Sequence, residues 1–223
     1  MFKKWQIFLF DFDGTLVNSE RLQHQAYLQA AQEYGIAFAP TFTAYTKLAH
    51  FSDHAVQDAI CGLSKNLDWA TFYADKKRIY LKILALSHLE LMEGVELLLA
   101  KLATRDVITC VVTHSSKEQT RSFCEKLPIL QTIQHWVTRE DYERPKPAPD
   151  SYEKAIVTLK SDPSQRVVGV EDTVRGLEAL LAVEADPILV SGEMDAASIS
   201  ALQQRVQKPF IHMTTLLELA NGL

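Results

Sequence analysis

Apolar and polar residues follow two rhythms along this chain. Ile7–Phe10 is a continuous apolar run of strand length that stops at Asp11, with a second acid at Asp13 and a glycine at Gly14. That is the pattern of a buried central strand followed by a turn. The period then becomes helical. Ser19 and Glu20 offer a helix start, Leu22, Ala26, Ala30 and Tyr34 follow at helical spacing, and Gly35 supplies a stop. A second helix is expected from Ser52 or Asp53, carrying Val56, Ile60 and Leu63 on one face. A third is expected from Asp68, with Trp69, Phe72, Lys76, Ile79, Tyr80 and Ile83 in register. No convincing strand falls between Ser19 and about Leu89, so this stretch reads as an all-helical block with its own core.

From Val95 the rhythm changes again. Val95, Leu98, Leu99 and Leu102 make a short amphipathic helix, and Val107–Val112 is a β-branched run ending at Thr113-His114-Ser115-Ser116-Lys117. Further strands are predicted at His135–Thr138, Val167–Val170, Ile188–Val190 and Phe210–His212, with helices from Asp150, Thr173, about Asp195 and Thr214. Strands separated by helices of this length argue for a parallel sheet covered on both faces. The fold class is therefore α/β, with the helical block inserted after the first strand.

Composition narrows the classes of partner. The 223 residues suffice for one core domain with a small accessory one. A net charge of −5 offers no basic footprint for nucleic acid or an anionic membrane. Lys3 and Lys4 ahead of apolar residues imitate a leader peptide, but Asp11 cuts the run and no small-residue cleavage site follows. Cys61, Cys110 and Cys124 lack metal-ligand spacing, which fits free thiols in a cytoplasmic protein. No stretch reaches the roughly 18 apolar residues of a membrane span, and there is no internal repeat.

The predicted strand ends carry the chemistry, because parallel strands put their carboxyl ends on one edge, where open α/β sheets bind ligands. Asp11 and Asp13 can simply form a turn with Gly14. Two desolvated carboxylates cost several kcal/mol each, roughly, unless a cation or donors meet them, and a hard cation such as Mg²⁺ is the natural partner. Thr113 can hold a phosphate oxygen or cap the next helix. Lys146, between Pro145 and Pro147, is a placed ammonium suited to a phosphate oxygen or a carboxylate, unless the stretch is a solvated linker. Glu171 and Asp172 end another apolar strand and, with Asp11 and Asp13, can line an oxygen-rich Mg²⁺ pocket. Thr173 reads as a helix cap and Gly176 as a close-packing site.

Asp11-Phe12-Asp13-Gly14-Thr15-Leu16-Val17-Asn18-Ser19 resembles the first motif of the haloacid dehalogenase-like superfamily at every defined position. Thr113, Lys146 within Lys-Pro-x-Pro, and Glu171-Asp172-Thr-x-x-Gly resemble motifs two to four. Their order and intervals are similar to those of the phosphoglycolate phosphatase and β-phosphoglucomutase branch. The resemblance implies a Rossmann-like parallel-sheet core (residues 1–17 and 92–223) with an inserted helical cap (18–91). It also implies a Mg²⁺-dependent phosphatase that hydrolyses a small soluble phosphomonoester, a sugar phosphate or short organic-acid phosphate, through an aspartyl-phosphate.

In that family pattern Asp11 is the nucleophile and Asp13 the general acid and base, its carbonyl also reaching the metal. Asp11 and Asp172 hold Mg²⁺ with Glu171 assisting, and Thr113 and Lys146 bind phosphate oxygens. Ser115, His114, His50 and Lys47 are the candidate substrate contacts, and hinges for cap closure are expected near Val17–Ser19 and Leu91–Gly94. Two departures bear on the substrate. His114 stands where relatives usually have a small residue, and Lys47-Leu48-Ala49-His50-Phe51-Ser52, expected as the substrate-facing loop, lacks the usual glycine.

Other classes remain open at this level. β-Phosphoglucomutases carry a His ten residues after the second Asp, where this chain has Gln23 with His24 adjacent. A phosphomutase and a catalytically silent phosphometabolite-binding protein are the alternatives, and a carbon–halogen hydrolase fits worse because its chemistry does not use the second Asp. The expected partner is a small phosphorylated molecule, not nucleic acid or membrane, acting on a monomer or weak dimer. Neither the phosphorylated molecule nor the oligomeric state is legible in the sequence.

Overall fold

The computed structural model describes residues 5–51, 54–192, 194–206 and 208–223, without the side chain of Phe51. Met1–Lys4, part of the leader-like stretch, and Ser52–Asp53, the expected start of the second helix, lie outside the described residues. The chain divides into two compact units, one through Asn18 and from Glu90 to Leu223, the other Ser19–Leu89.

The larger unit is built on a six-stranded parallel sheet of β1 (Ile7–Phe10), β2 (Ile108–Val112), β3 (His135–Val137), β4 (Val167–Glu171), β5 (Asp186–Val190) and β6 (Ile211–Met213), in the order β3-β2-β1-β4-β5-β6. β1 is central because its side chains are apolar on both faces. Ile7 and Leu9 pack with Tyr152, Ala155 and Leu159 of α7 (Asp150–Leu159) and with Ala179 and Leu180 of α8 (Val174–Leu181). Phe8 and Phe10 stack along the opposite face with ring centroids 6.1 Å apart. Each such fully buried side chain contributes roughly 1.5–3 kcal/mol. The other helices of this unit are α5 (Val95–Ala103), α6 (Lys117–Lys126), α9 (Ala196–Arg205) and α10 (Leu216–Gly222).

Topology and register fix where function can sit. The strand order reverses at β1, with β2 on one side and β4 on the other, which is where an open α/β sheet forms a crevice at its carboxyl edge. Phe10 pairs with Val111 of β2 and Val170 of β4. One residue further on, Asp11 donates its N–H to the Val170 carbonyl at 2.9 Å and leaves the sheet beside Glu171. Past it the chain folds tightly, Gly14 N–H reaching the Val17 carbonyl and Val17 bridging to Leu91, so the two connections to the other unit run side by side.

The smaller unit is helical: α1 (Glu20–Glu33), α2 (Phe42–Phe51), α3 (Ala55–Leu63) and α4 (Trp69–Leu86). α2 corrects the expectation of a loop at Lys47–Ser52, since Lys47–Phe51 belong to this helix. Thr43 and Thr46 within it, and Thr41 just before it, weaken the apolar period, but the Thr41 hydroxyl accepts the Ala44 N–H at 3.3 Å and starts the helix. Asp68, the expected start of the third helix, caps α4 through Ala70 N–H. Ser19 precedes α1, yet its side chain makes no capping bond. Its backbone is already helical, and its carbonyl takes the Leu22 and Gln23 N–H groups.

The three cysteines are free thiols, and burial pushes the Cys110 thiol up to about 12. Among the described residues no helix is long and apolar enough to cross a membrane.

Candidate active site

The carboxyl edge of the sheet gathers most of the residues singled out from the sequence. Asp11 leaves β1 buried, and the Lys146 ammonium meets it. Nζ lies 2.5 Å from Asp11 Oδ1, 2.6 Å from Glu171 Oε1 and 2.8 Å from the Val112 carbonyl, and 4.9 Å from the centre of the Tyr152 ring. The lysine therefore ties together the ends of β1, β2 and β4. Its approach is ordered: Arg144 pairs with Asp150 at 2.7 Å and Pro149 precedes the first turn of α7.

Glu171 is closed in from every side. The Tyr152 hydroxyl donates to its Oε1, and Gly176 packs against Oε2, where an ideal Cβ would come within 1.9 Å. Asp172 receives the Thr15 hydroxyl at 3.3 Å. Gly14, in the left-handed region at φ 84°, leaves room for the Asp172 carboxylate, which a Cβ there would meet at 2.2 Å. Thr173 caps α8 through Gly176 N–H.

On the β2 side, Ser115 donates its hydroxyl to Asp13 Oδ2 at 2.6 Å, while Ser115 N–H is held by the Thr113 hydroxyl oxygen at 2.9 Å. The cap of α6 is Ser116, in a reciprocal capping box with Gln119. Thr113 is thus relieved of the capping role weighed for it.

Charge and burial act together here. Burial pushes the Asp11 carboxyl up to about 7; Lys146 opposes this, while Glu171 and Asp13 add to it. Burial alone would lower the Lys146 ammonium, but Asp11 and Glu171 outweigh it and hold the group charged. Burial and then Glu171 push the Tyr152 phenol up, so it stays a donor. His114 is open to solvent on one side, yet protein atoms crowd the ring. Desolvation, followed by Arg139, Arg175 and Lys146, pushes it down to about 4.

Oxygen atoms of Asp11, Glu171 and Asp172 lie within 4.8 Å of one another, and all three are hard carboxylate donors. That donor set fits Mg²⁺. Asp13 stands apart from this trio, its carboxylate committed to Ser115.

The other candidates lie in the helical unit. Lys47 and His50 are exposed on α2, and the His50 ring is paired with Glu20. His24 is turned into packing: it stacks on Tyr45 with centroids 4.9 Å apart, and its Nε2 meets the Pro40 carbonyl at 2.9 Å. Gln23, at the position of the mutase histidine, accepts a bond from Lys76. Tyr152 and Tyr142 escaped the sequence reading, as did the contact of Thr15. Thr15 lay inside the quoted motif, whereas the two tyrosines look like ordinary apolar fillers until the sheet places them.

Gly176→Ala tests how rigidly Glu171 is held. The added methyl must push a carboxylate already bound by Lys146 and Tyr152, so a loss of about 1–3 kcal/mol in stability is expected by urea unfolding. A variant as stable as the wild type would show that Glu171 moves freely.

Comparison with known proteins identifies the family. A family model described as haloacid dehalogenase-like hydrolase matches residues 8–190. Hexitol phosphatase A of Escherichia coli (strain K12) is 28% identical over 200 residues, covering 86% of both chains. Validoxylamine A 7'-phosphate phosphatase of Streptomyces hygroscopicus subsp. limoneus is 27% identical over 179 residues, 78% of this chain and 80% of that protein. Among solved structures, CbbY from Rhodobacter sphaeroides in complex with phosphate superposes with a TM-score of 0.78 at 20% identity, covering 96% of both chains. With the motifs assembled on one sheet edge and the family model spanning most of its length, the chain belongs to the haloacid dehalogenase-like hydrolases.

Proposed function

We propose that this protein is a Mg²⁺-dependent phosphatase of small phosphomonoesters. The observation that carries the reading is a buried aspartate at a central strand tip, held through one oxygen by Lys146, with a second aspartate two residues on oriented by Ser115. Lys146 occupies Asp11 Oδ1, so Oδ2 is the attacking atom. It forms a bond to phosphorus as the ester oxygen leaves, giving an aspartyl-phosphate. Asp13 gives the departing oxygen a proton, then takes one from the water that attacks phosphorus and releases phosphate, restoring Asp11. The Thr113 hydroxyl, whose oxygen holds Ser115 N–H, has its proton to give a phosphoryl oxygen, and the Lys146 ammonium, its protons held by Asp11, Glu171 and the Val112 carbonyl, supplies positive charge beside it.

Asp11, Asp172 and the Asp13 carbonyl would hold Mg²⁺ with Glu171 close by. When bound, the ion would supply the positive charge that offsets repulsion between the ionised nucleophile and the phosphate dianion.

The named relatives act on phosphates of hexitols and of validoxylamine A, which supports a sugar or polyol phosphate as the leading substrate class. A phosphate-release screen with and without Mg²⁺, across sugar and polyol phosphates, phosphoglycolate and nucleoside monophosphates, tests the reading. Mg²⁺-dependent release from sugar or polyol phosphates is expected. Binding of these esters with no release from any would favour the catalytically silent alternative.

The same reading gives the helical unit the choice of leaving group, with Lys47 and His50 of α2 as its candidate contacts. Replacing both by Ala should lower kcat/KM for the best natural substrate about tenfold more than for an aryl phosphate, whose binding rests on the core motifs. Equal losses on both would remove the two residues from specificity.

A further inference from the structure

We infer that His114 is a specificity residue, presenting an unprotonated Nε2 as a hydrogen-bond acceptor beside the phosphoryl site for a hydroxyl group of the leaving alcohol. The inference rests on the phosphatase reading and names a recognition element within it.

The tautomer follows from proton counting. Tyr142 Oη lies 3.0 Å from the Thr113 carbonyl and 3.1 Å from His114 Nδ1. A carbonyl cannot donate, so the single phenolic proton goes to Thr113, and His114 Nδ1 must carry the hydrogen that it gives to Tyr142. Nε2 is then left as a lone pair. The ring is held by Tyr142, and His114 lies in the chain between Thr113 and Ser115, whose hydroxyl holds Asp13, so it belongs to the same loop that orients the general acid.

The surrounding charges choose the donor. Arg139, Arg175 and Lys146 all act on the imidazole and oppose a further positive charge there. Desolvation first, and then these three charges, keep the ring neutral, and by the same sign the charges disfavour a substrate ammonium beside it. What remains is a neutral donor, and on a small phosphomonoester that is a hydroxyl. Tyr142 acts through His114 and is a positioning residue, itself held by Arg139, which donates to its carbonyl at 2.8 Å.

Two measurements test this, using sorbitol 6-phosphate, n-hexyl phosphate and phosphoethanolamine as probes. In long-range proton–nitrogen NMR at pH 7, one imidazole, absent from His114→Ala, should show a protonated Nδ1 and a bare Nε2. Adding sorbitol 6-phosphate to the Mg²⁺-loaded Asp11→Asn variant should shift that Nε2, whereas n-hexyl phosphate and phosphoethanolamine should not. Tyr142→Phe should blur the resonance into mixed tautomers.

In kinetics, the wild-type preference in kcat/KM for sorbitol 6-phosphate over n-hexyl phosphate should fall about three- to tenfold in His114→Ala, the weight of one neutral hydrogen bond. An Nε2–H or imidazolium form at pH 7, no shift with the hydroxylated ester, or an unchanged preference would each overturn the inference. If the wild type releases phosphate from no ester, the phosphatase reading fails while the NMR titration still decides on His114.

Discussion

Asp11→Asn should lower kcat on every phosphomonoester by about 10⁴-fold or more, as expected when the nucleophile of a cooperating set is removed. An amide keeps the shape and most contacts of the carboxylate but is a far weaker nucleophile. Lys146 loses an ionic partner, yet Glu171 Oε1 at 2.6 Å and the Val112 carbonyl at 2.8 Å continue to hold it. The melting temperature should therefore change little, and phosphate should still bind. Turnover near the wild-type rate would exclude Asp11 as the attacking group.

Asp13→Asn separates the two half-reactions. On p-nitrophenyl phosphate the leaving group needs no proton, so the first transfer should proceed and hydrolysis should then stall for want of a base. Intact-mass measurement after rapid quench should find one phosphoryl group retained per chain. Prompt dephosphorylation would assign the base elsewhere.

Much of this arrangement was legible because it rests on one-dimensional patterns. The apolar runs at Ile7–Phe10 and Val167–Val170 each end in acids, and a parallel sheet necessarily brings such ends to one edge. Proline on both sides of Lys146 announced an ordered lysine. Its simultaneous grip on Asp11 and Glu171 was not visible, since it depends on β1 and β4 being neighbours across a chain separation that no local pattern encodes.

Helix α2 was missed for a different reason: three threonines blur its period, and the helix is sustained by packing of Tyr45 against His24 and Tyr27. His24 also shows how spacing alone misleads. One residue away from a catalytic position in a related family, it faces a different side of α1 and serves the core of the helical unit. The tautomer of His114 depends on Tyr142, twenty-eight residues distant in sequence, and so could only come from the fold.

Removing divalent metal with EDTA should abolish phosphate release, and Mg²⁺ should restore it. Lys146 balances one charge of the set formed by Asp11, Asp13, Glu171 and Asp172, and a phosphate dianion would add to the excess. Asp172 is the member whose removal should matter most for the ion. Glu171 is already paired with the Lys146 ammonium and the Tyr152 hydroxyl, whereas Asp172, which takes the neutral Thr15 hydroxyl at 3.3 Å, brings a carboxylate oxygen within 4.8 Å of those of Asp11 and Glu171. Isothermal titration of Mg²⁺ into Asp172→Ala should show at least about tenfold weaker binding than into the wild type, as expected for loss of a charged ligand. Activity should be partly recovered at high Mg²⁺, since the nucleophile and the acid–base residue are intact. Ca²⁺ should compete without supporting turnover, because its longer, looser oxygen coordination misplaces Asp11 for in-line attack. Full activity in chelator would show that the carboxylate trio is balanced by the protein's own cations, and equal Mg²⁺ affinity in the two proteins would remove Asp172 from the metal site.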